Sequence, residues 1–281
     1  MKIYKLDLEK VNKLIDIALR EDIGDGDITT ESIFPDSVPC KAVIKSKENG
    51  ILCGSGIARL VFEKFDSGVL WEEKKSDGDK LSDGDIVAKI EGNQKHILTA
   101  ERVALNLLQR MSGISTLTAK YVDAVEGLPA KIVDTRKTLP GLRVLEKYAV
   151  TVGGGFNHRF GLFDGVMIKD NHIKLAGSIG FAVEKVRSKY GGKFKIEVET
   201  TNPKEVKEAL SCGADIIMLD NMDTKTMREA VSIIDGRALI EASGGITLEN
   251  VRDAAETGVD FISVGALTHS AKALDISLDM L

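Results

Sequence analysis

Six short apolar runs follow Gly113, and each ends in polar or glycine residues: KIVDT, GVMIKDNH, KIEVET, IIMLDN, LIEASGG and FISVGAL. Most are separated by a stretch of helical character, such as NPKEVKEALSCGA or TLENVRDAAETGV. Their spacing, roughly 20–35 residues, is that of repeated βα units. Continuous apolar runs suit strands covered on both faces, as in a parallel sheet. Six units are too few for a complete (β/α)8 barrel, so the pattern predicts an incomplete one. In such folds the chemistry sits at the C-terminal ends of the strands. Those ends carry Asp134, Thr135 and Arg136; Lys169, Asp170, Asn171 and His172; Glu199 and Thr200; Asp220 and Asn221; Ser243, Gly244 and Gly245; and Gly265 and Ala266. Early strands thus end in cations, middle strands in carboxylates, and late strands in glycine-rich turns.

The first part of the chain has a different texture. Apolar residues recur at helical spacing from Leu6 to Leu19, and EDIGDGDITTES then breaks the pattern. KAVIKSKENGIL, GVLWEEKKS and DIVAKIEG read as antiparallel strands joined at Gly and Asp turns. A helix is expected from about Thr99, as N-cap, to Gly113, as C-cap, with Ala104, Leu107, Leu108 and Met111 as its apolar stripe. Apolar residues make up 43% of the chain, enough for a full core, but aromatics only 5%, so aliphatic side chains must supply most of the packing.

Asp134–Asn171 concentrates positive charge: Arg136, Lys137, Arg143, Lys147, His158, Arg159 and Lys169 against Asp134, Glu146, Asp164 and Asp170. The whole chain carries a formal net charge of −5, so this is a local device, and a nucleic-acid-binding face usually comes with a basic domain. Arg136, Arg159 and Lys169 could engage two carboxylates, with His158 as a further donor, since Arg offers the bidentate fork that a carboxylate needs. Solvated surface charge is the bland alternative. Glu199 and Asp220 end consecutive strands and suit Mg²⁺, which takes few protein ligands plus substrate phosphates; simple pairing with lysines is the other reading. Glu197 and Glu241, inside strand-like runs, would need cationic partners. Ser243, Gly244 and Gly245, then Ser263, Val264 and Gly265, let backbone N–H groups approach a phosphate, with a following helix adding its dipole and Thr268, His269 and Ser270 nearby. Glycine is also ordinary at βα corners.

Other matches fail. DGDKLSDGD lacks the acid order of a calcium loop and reads as hairpin turns. GGGFNHRFG follows no clear strand, which argues against a dinucleotide fingerprint. His96 belongs near the start of a helix with no chemical role. Cys40, Cys53 and Cys212 have no metal-site spacing and are expected to be structural thiols in a reducing, cytoplasmic setting. The stretch MKIYKLDLEKVNKLIDIAL is amphipathic and acid-bearing, unlike a signal peptide, and no apolar run is long enough for a membrane span.

ERVALNLLQRMSGI, DTRKTLPGLRVLEKYAV, GGGFNHRFGLFDGVMIKDNH, IEVET, MLDN, EASGGI and SVGALTHS resemble the motifs of the quinolinate phosphoribosyltransferases, also called nicotinate-nucleotide pyrophosphorylases (carboxylating). The resemblance runs nearly end to end and includes EDIGDGDITT; DTRKT, NHR and KDNH in this order are its most specific parts. It implies an α/β fold: an N-terminal α/β open-faced sandwich over residues 1–112, an incomplete (β/α) barrel over residues 113–271 that holds the active site, and a tail, 272–281, packing back on the first domain. It implies transfer of phosphoribosyl from 5-phosphoribosyl 1-pyrophosphate to quinolinate with loss of CO₂, giving nicotinate mononucleotide for NAD synthesis, with Mg²⁺ required. It also implies a homodimer, or a dimer-based hexamer, with Arg102 reaching the partner subunit's site. Carried over, Arg136, His158, Arg159 and Lys169 bind the quinolinate carboxylates and Lys137 serves the donor beside Thr135. Glu199 and Asp220 hold the ribose and the metal-bound pyrophosphate. Ser243, Gly244, Gly245, Gly265 and His269 bind the 5′-phosphate.

Three competing readings keep some of these residues. A phosphoribosyltransferase for another acceptor would keep the phosphate and metal residues and lose part of the arginine set. A Schiff-base aldolase would use Lys169 at its strand end but leave Glu199 and Asp220 idle. A non-catalytic anion or nucleic-acid binder is opposed by the net acidity.

Overall fold

The computed structural model describes residues 6–281, so the first five residues of the amphipathic opening stretch lie outside the described residues. The elements follow in chain order: α1 Leu8–Ile23, α2 Ile28–Ile33, β1 Pro39–Ser46, β2 Gly50–Ile51, α3 Ser55–Phe65, β3 Leu70–Glu73, β4 Lys80–Leu81, β5 Ile86–Asn93 and α4 Gln94–Ala124. Next come β6 Lys131–Val133, α5 Arg143–Val152, β7 Val166–Ile168, α6 Asp170–Ala176, α7 Ile179–Tyr190, β8 Ile196–Thr200, α8 Pro203–Ser211 and β9 Ile216–Asp220. The chain continues through α9 Thr224–Ile234, β10 Leu239–Ser243, α10 Val251–Ala255, β11 Phe261–Ser263, α11 Ala266–His269 and β12 Ile276–Met280. It divides into two compact units.

The unit containing residues 120–137 and 155–266 holds the six strands expected from the apolar runs. They form one parallel sheet in the order β6-β11-β10-β9-β8-β7. The first strand pairs with the last, while β7, second in sequence, ends at the opposite edge. The barrel is therefore open between β6 and β7, and the segment after α5 begins to line that gap through a parallel bridge of Phe156 with Val133. Val198, Ile217, Leu219, Ile240, Ala242 and Ile262 form a fully buried outer layer. Each large aliphatic buried there is worth roughly 1.5–3 kcal/mol. Local signals start the helices: Asn202 accepts from the backbone N–H groups of Lys204 and Glu205 with Pro203 at the first turn of α8, and Asp223 caps α9.

The other unit, which holds residues 6–119, 138–154 and 267–281, carries a four-stranded antiparallel sheet, β12-β1-β5-β3. Here β12 lies along β1 from Ala42↔Met280 to Ser46↔Ile276. Helix α1 starts two residues after Leu6, where Asp7 accepts from Lys10 N–H, and buries Val11, Ile15 and Leu19. The Gly and Asp clusters are turns: Asp79 accepts from Ser76 N–H and Asp85 from Ser82 N–H.

Helix α4 departs from expectation. It starts at Gln94 and does not stop at Gly113 but runs 31 residues. Gly113 is interior because a neighbouring chain segment crosses it: a Cβ there would stand 2.0 Å from the carbonyl oxygen of Lys272. Thr99 is likewise interior, and its hydroxyl donates to Asp27. His96 lies in the first turn of α4, as expected. Gly153, first of the GGG run, is also a close-approach residue, since its Cβ would meet Ser115 O at 2.5 Å. Cys53 is buried, and Cys40 and Cys212 are half-buried; all three are free thiols.

Candidate active site

The parallel register decides which side chains share a face. Glu199 is paired with Met218, and Ser243 with Asp220, so on alternating strands Glu197, Glu199, Met218, Asp220, Glu241 and Ser243 point to one side of the sheet. This is the inner face, opposite the aliphatic layer. Glu197 and Glu241 lie deep and buried; Glu199, Asp220 and Ser243 lie one step nearer the strand ends and are half-buried.

Asp134, fully buried just past β6, organises the cationic side. Its carboxylate accepts the Asn157 amide at 2.7 Å and the backbone N–H of His158 at 2.8 Å, tying the end of the first strand to the Asn157–Arg159 segment. Thr135 turns inward on the local chain, its hydroxyl accepting from Lys137 N–H at 3.0 Å. Arg159 donates to Gly165 O at 3.1 Å. Burial, then the nearby charge of Arg136, disfavours its protonated form, while Glu197 and Asp164 counteract this. Two guanidinium groups held near each other are an arrangement that an anion relieves.

His158 is largely buried. The residue is 8% exposed, and both ring nitrogens face protein groups. Nδ1 accepts Arg159 N–H at 2.7 Å. Nε2 lies 3.0 Å from Glu197 Oε2 and 3.5 Å from Glu241 Oε2. The ligand atoms of these three residues lie within 4.8 Å of one another, a spacing that also suits a cation. The tautomer argues against a metal, because an acceptor Nδ1 leaves the ring proton on Nε2 and no lone pair there. Burial and the charge of Glu241 raise Glu197 to about 7, against the pull of His158. The two buried carboxylates are thus faced by the protonated Nε2 edge of His158, and Arg159 supplies the positive charge that acts on Glu197. The sequence shows that Glu197 and Glu241 need partners but not which, because His158 lies far from both along the chain and outside the strands.

Lys169 closes β7 and donates to Glu199 Oε2 at 2.7 Å, so the pairing with a lysine holds for Glu199. Asp220 Oδ2 accepts instead from the Asn221 amide at 2.8 Å. The turn after β10 needs its glycines: Gly244 and Gly245 have φ of +84° and +63°. The Asn250 amide donates to Gly245 O at 2.9 Å and steadies the turn. The helices after the last two strands, α10 and α11, have only 5 and 4 residues, so the expected dipole contribution there is small.

Arg136, Lys137, His158, Arg159, Lys169, Glu199, Asp220, Ser243, Gly244, Gly245 and Gly265 all belong to the barrel unit. Arg102 and His269 belong to the other. Arg102 is exposed on α4 with Glu101 at 3.8 Å, and His269 Nδ1 lies 2.6 Å from the Ser270 hydroxyl.

An open parallel barrel with arginines at its early strand ends, carboxylates at the middle ones and glycine turns at the last defines an enzyme class for small anionic substrates. Two family models match, "Quinolinate phosphoribosyl transferase, N-terminal domain" over residues 27–112 and "Quinolinate phosphoribosyl transferase, C-terminal domain" over residues 114–279. The chain belongs to the quinolinate phosphoribosyltransferase family. It is 47% identical over 271 residues to a probable nicotinate-nucleotide pyrophosphorylase (carboxylating) of Bacillus subtilis, covering 96% of this chain and 93% of that one. It is also 47% identical over 292 residues to the quinolinate phosphoribosyltransferase (decarboxylating) 2b, mitochondrial, of Nicotiana tabacum, covering 97% of this chain and 82% of that one. The solved nicotinate-nucleotide pyrophosphorylase of Francisella tularensis superposes with a TM-score of 0.95 at 42% identity, over 100% of this chain and 99% of the other.

Proposed function

We propose that this protein transfers phosphoribosyl from 5-phosphoribosyl 1-pyrophosphate to quinolinate and releases pyrophosphate and CO₂, forming nicotinate mononucleotide for NAD synthesis. The observation that carries the reading is the gathering of Arg136, Arg159 and Lys169 in one unit with Glu199 and Asp220, with Lys169 on Glu199, within a chain matched to this family along both domains. The quinolinate nitrogen attacks the anomeric carbon as the bond to pyrophosphate breaks. Holding that weak nucleophile in line supplies much of the rate. Once alkylated, the ring nitrogen is positive and takes up the electron pair left when the adjacent carboxylate departs as CO₂; one proton then replaces the carboxylate. Arg136, Arg159 and Lys169 bind the two acceptor carboxylates in this reading, and His158 acts from beneath as the partner of Glu197 and Glu241. Lys137 and Thr135 serve the donor, and Ser243, Gly244, Gly245, Gly265 and His269 its 5′-phosphate.

Glu199 and Asp220 fit a hard divalent ion. Both present carboxylates from adjacent strands to one face, each with one oxygen already engaged within the protein, a donor set that leaves coordination to substrate oxygens. Mg²⁺ bound there would neutralise charge on the departing pyrophosphate. The three free thiols favour a cytoplasmic setting. Among the described residues no helix is long and apolar enough to cross a membrane.

The direct test is incubation with quinolinate, phosphoribosyl pyrophosphate and Mg²⁺, with the product identified by mass. Nicotinate is expected to be a poor acceptor. It lacks the second carboxylate, and an arginine that the bound acid covers but leaves without its anion costs about 2–5 kcal/mol, at least roughly a 30-fold loss. Comparable turnover of both acids would defeat the proposal.

The working form is read as a homodimer, alone or within a hexamer, in which Arg102 completes the partner subunit's site. Arg102→Ala and Arg136→Ala are each expected to be inactive, and mixing them should restore activity once subunits exchange. A hybrid dimer carries one site with both arginines and one with neither. Demonstrated exchange without recovery would place Arg102 in its own subunit's chemistry or in none.

A further inference from the structure

Asn221 follows β9 with φ +54°, one of two non-glycine residues in the left-handed region among the described residues. Three contacts hold it there. Its backbone N–H donates to Ser243 O at 2.9 Å. Its side-chain amide nitrogen donates to Asp220 Oδ2 at 2.8 Å. Its amide oxygen occupies the space above Gly244, where a Cβ would stand 2.4 Å away. Gly244 is therefore glycine partly because the Asn221 side chain lies on it. One amide thus touches a carboxylate on the metal side and the turn on the phosphate side.

We propose that Asn221 is a positioning residue that orients the Asp220 carboxylate and sets the Ser243–Gly245 turn together, so that both grips on the phosphoribosyl donor are formed before the donor arrives. The proposal rests on the reading above, in which Asp220 and this turn serve the donor. The competing role is that of a plain turn former, since Asn is among the few L-residues that visit the left-handed region routinely. Glycine separates the two roles. It accepts φ +54° without strain and keeps the backbone N–H, and only the amide is lost.

Asn221→Gly is expected to leave the melting midpoint unchanged, to weaken binding of phosphoribosyl pyrophosphate with Mg²⁺ in calorimetry by about tenfold or more, and to leave the KM for quinolinate unchanged. That factor is the scale of one hydrogen bond to a charged carboxylate. Asn221→Asp keeps the size, tolerates the backbone and replaces the donor by a second acceptor beside Asp220, so it should weaken donor binding further. Should Asn221→Gly melt early, Asn221→Asp decides alone: donor binding lost with quinolinate KM retained supports the proposal. Wild-type donor affinity in whichever variant folds overturns it. A wild-type protein that binds the donor yet forms no nicotinate mononucleotide from quinolinate sinks the functional reading and leaves the calorimetric comparison standing. A wild-type protein that does not bind the donor sinks both.

Discussion

Gly113→Ala is expected to destabilise the protein by about 3 kcal/mol or more, the upper range for forcing an extra methyl into a packed site. The obstacle is the backbone carbonyl of Lys272, at 2.0 Å from the new Cβ, which no rotamer change can relieve. At roughly 2–4 °C per kcal/mol for a chain of this size, the melting midpoint should fall by roughly 6–12 °C. Gly56→Ala is the matched control. Gly56 is also helical, in α3, but nothing stands within 4 Å of its would-be Cβ. There the better helix propensity of alanine should leave stability unchanged or slightly raised. Equal melting curves for the two variants would show that the crossing segment yields.

Glu199→Gln and Asp220→Asn are expected to lower turnover by about 10²-fold or more while leaving quinolinate affinity nearly intact. Stabilisation by a metal is greatest as pyrophosphate leaves, and removal of one preorganised electrostatic group commonly costs on this scale. Each variant should also need more Mg²⁺ for half-maximal rate. The two substitutions differ in a secondary effect. Glu199→Gln removes the ion-pair partner of Lys169, whereas Asp220→Asn leaves that pair alone. A Mg²⁺ titration at saturating quinolinate reads the difference. Unchanged Mg²⁺ demand in both would overturn the assignment of this side to the donor. Glu197→Gln is a poor control for this experiment, because Glu197 shares the face of Glu199 and touches His158.

The six barrel strands were legible because each is a continuous apolar run whose residue chemistry changes abruptly where the strand ends. Their closure, first strand to last, is a long-range pairing with no local signature. The length of α4 was misread for a related reason. Gly113 looks like a helix stop from its neighbours alone, yet it is glycine because a distant segment passes over it. The late glycines were read as openings for a phosphate. The structure adds a second cause, since Gly244 also makes room for Asn221. Among the candidate ligands, the strand-end positions of Arg136, Lys169, Glu199 and Asp220 were readable from pattern. The turning of His158 toward Glu197 and Glu241 was not, because a histidine between two arginine-rich motifs looks the same whether it faces substrate or core.

The edge position of β12 has a consequence for how the chain is made. The sheet that begins with residues 39–46 is finished by residues 276–280. The barrel strands, Lys131 to Ser263, all emerge from the ribosome before that last edge exists. During synthesis β1 therefore waits with one side unpaired while every barrel strand is produced. An open strand edge is a template for pairing with other chains. Nascent chains arrested just short of residue 276 should capture one another, or a chaperone, more readily than chains in which residues 276–280 are also present.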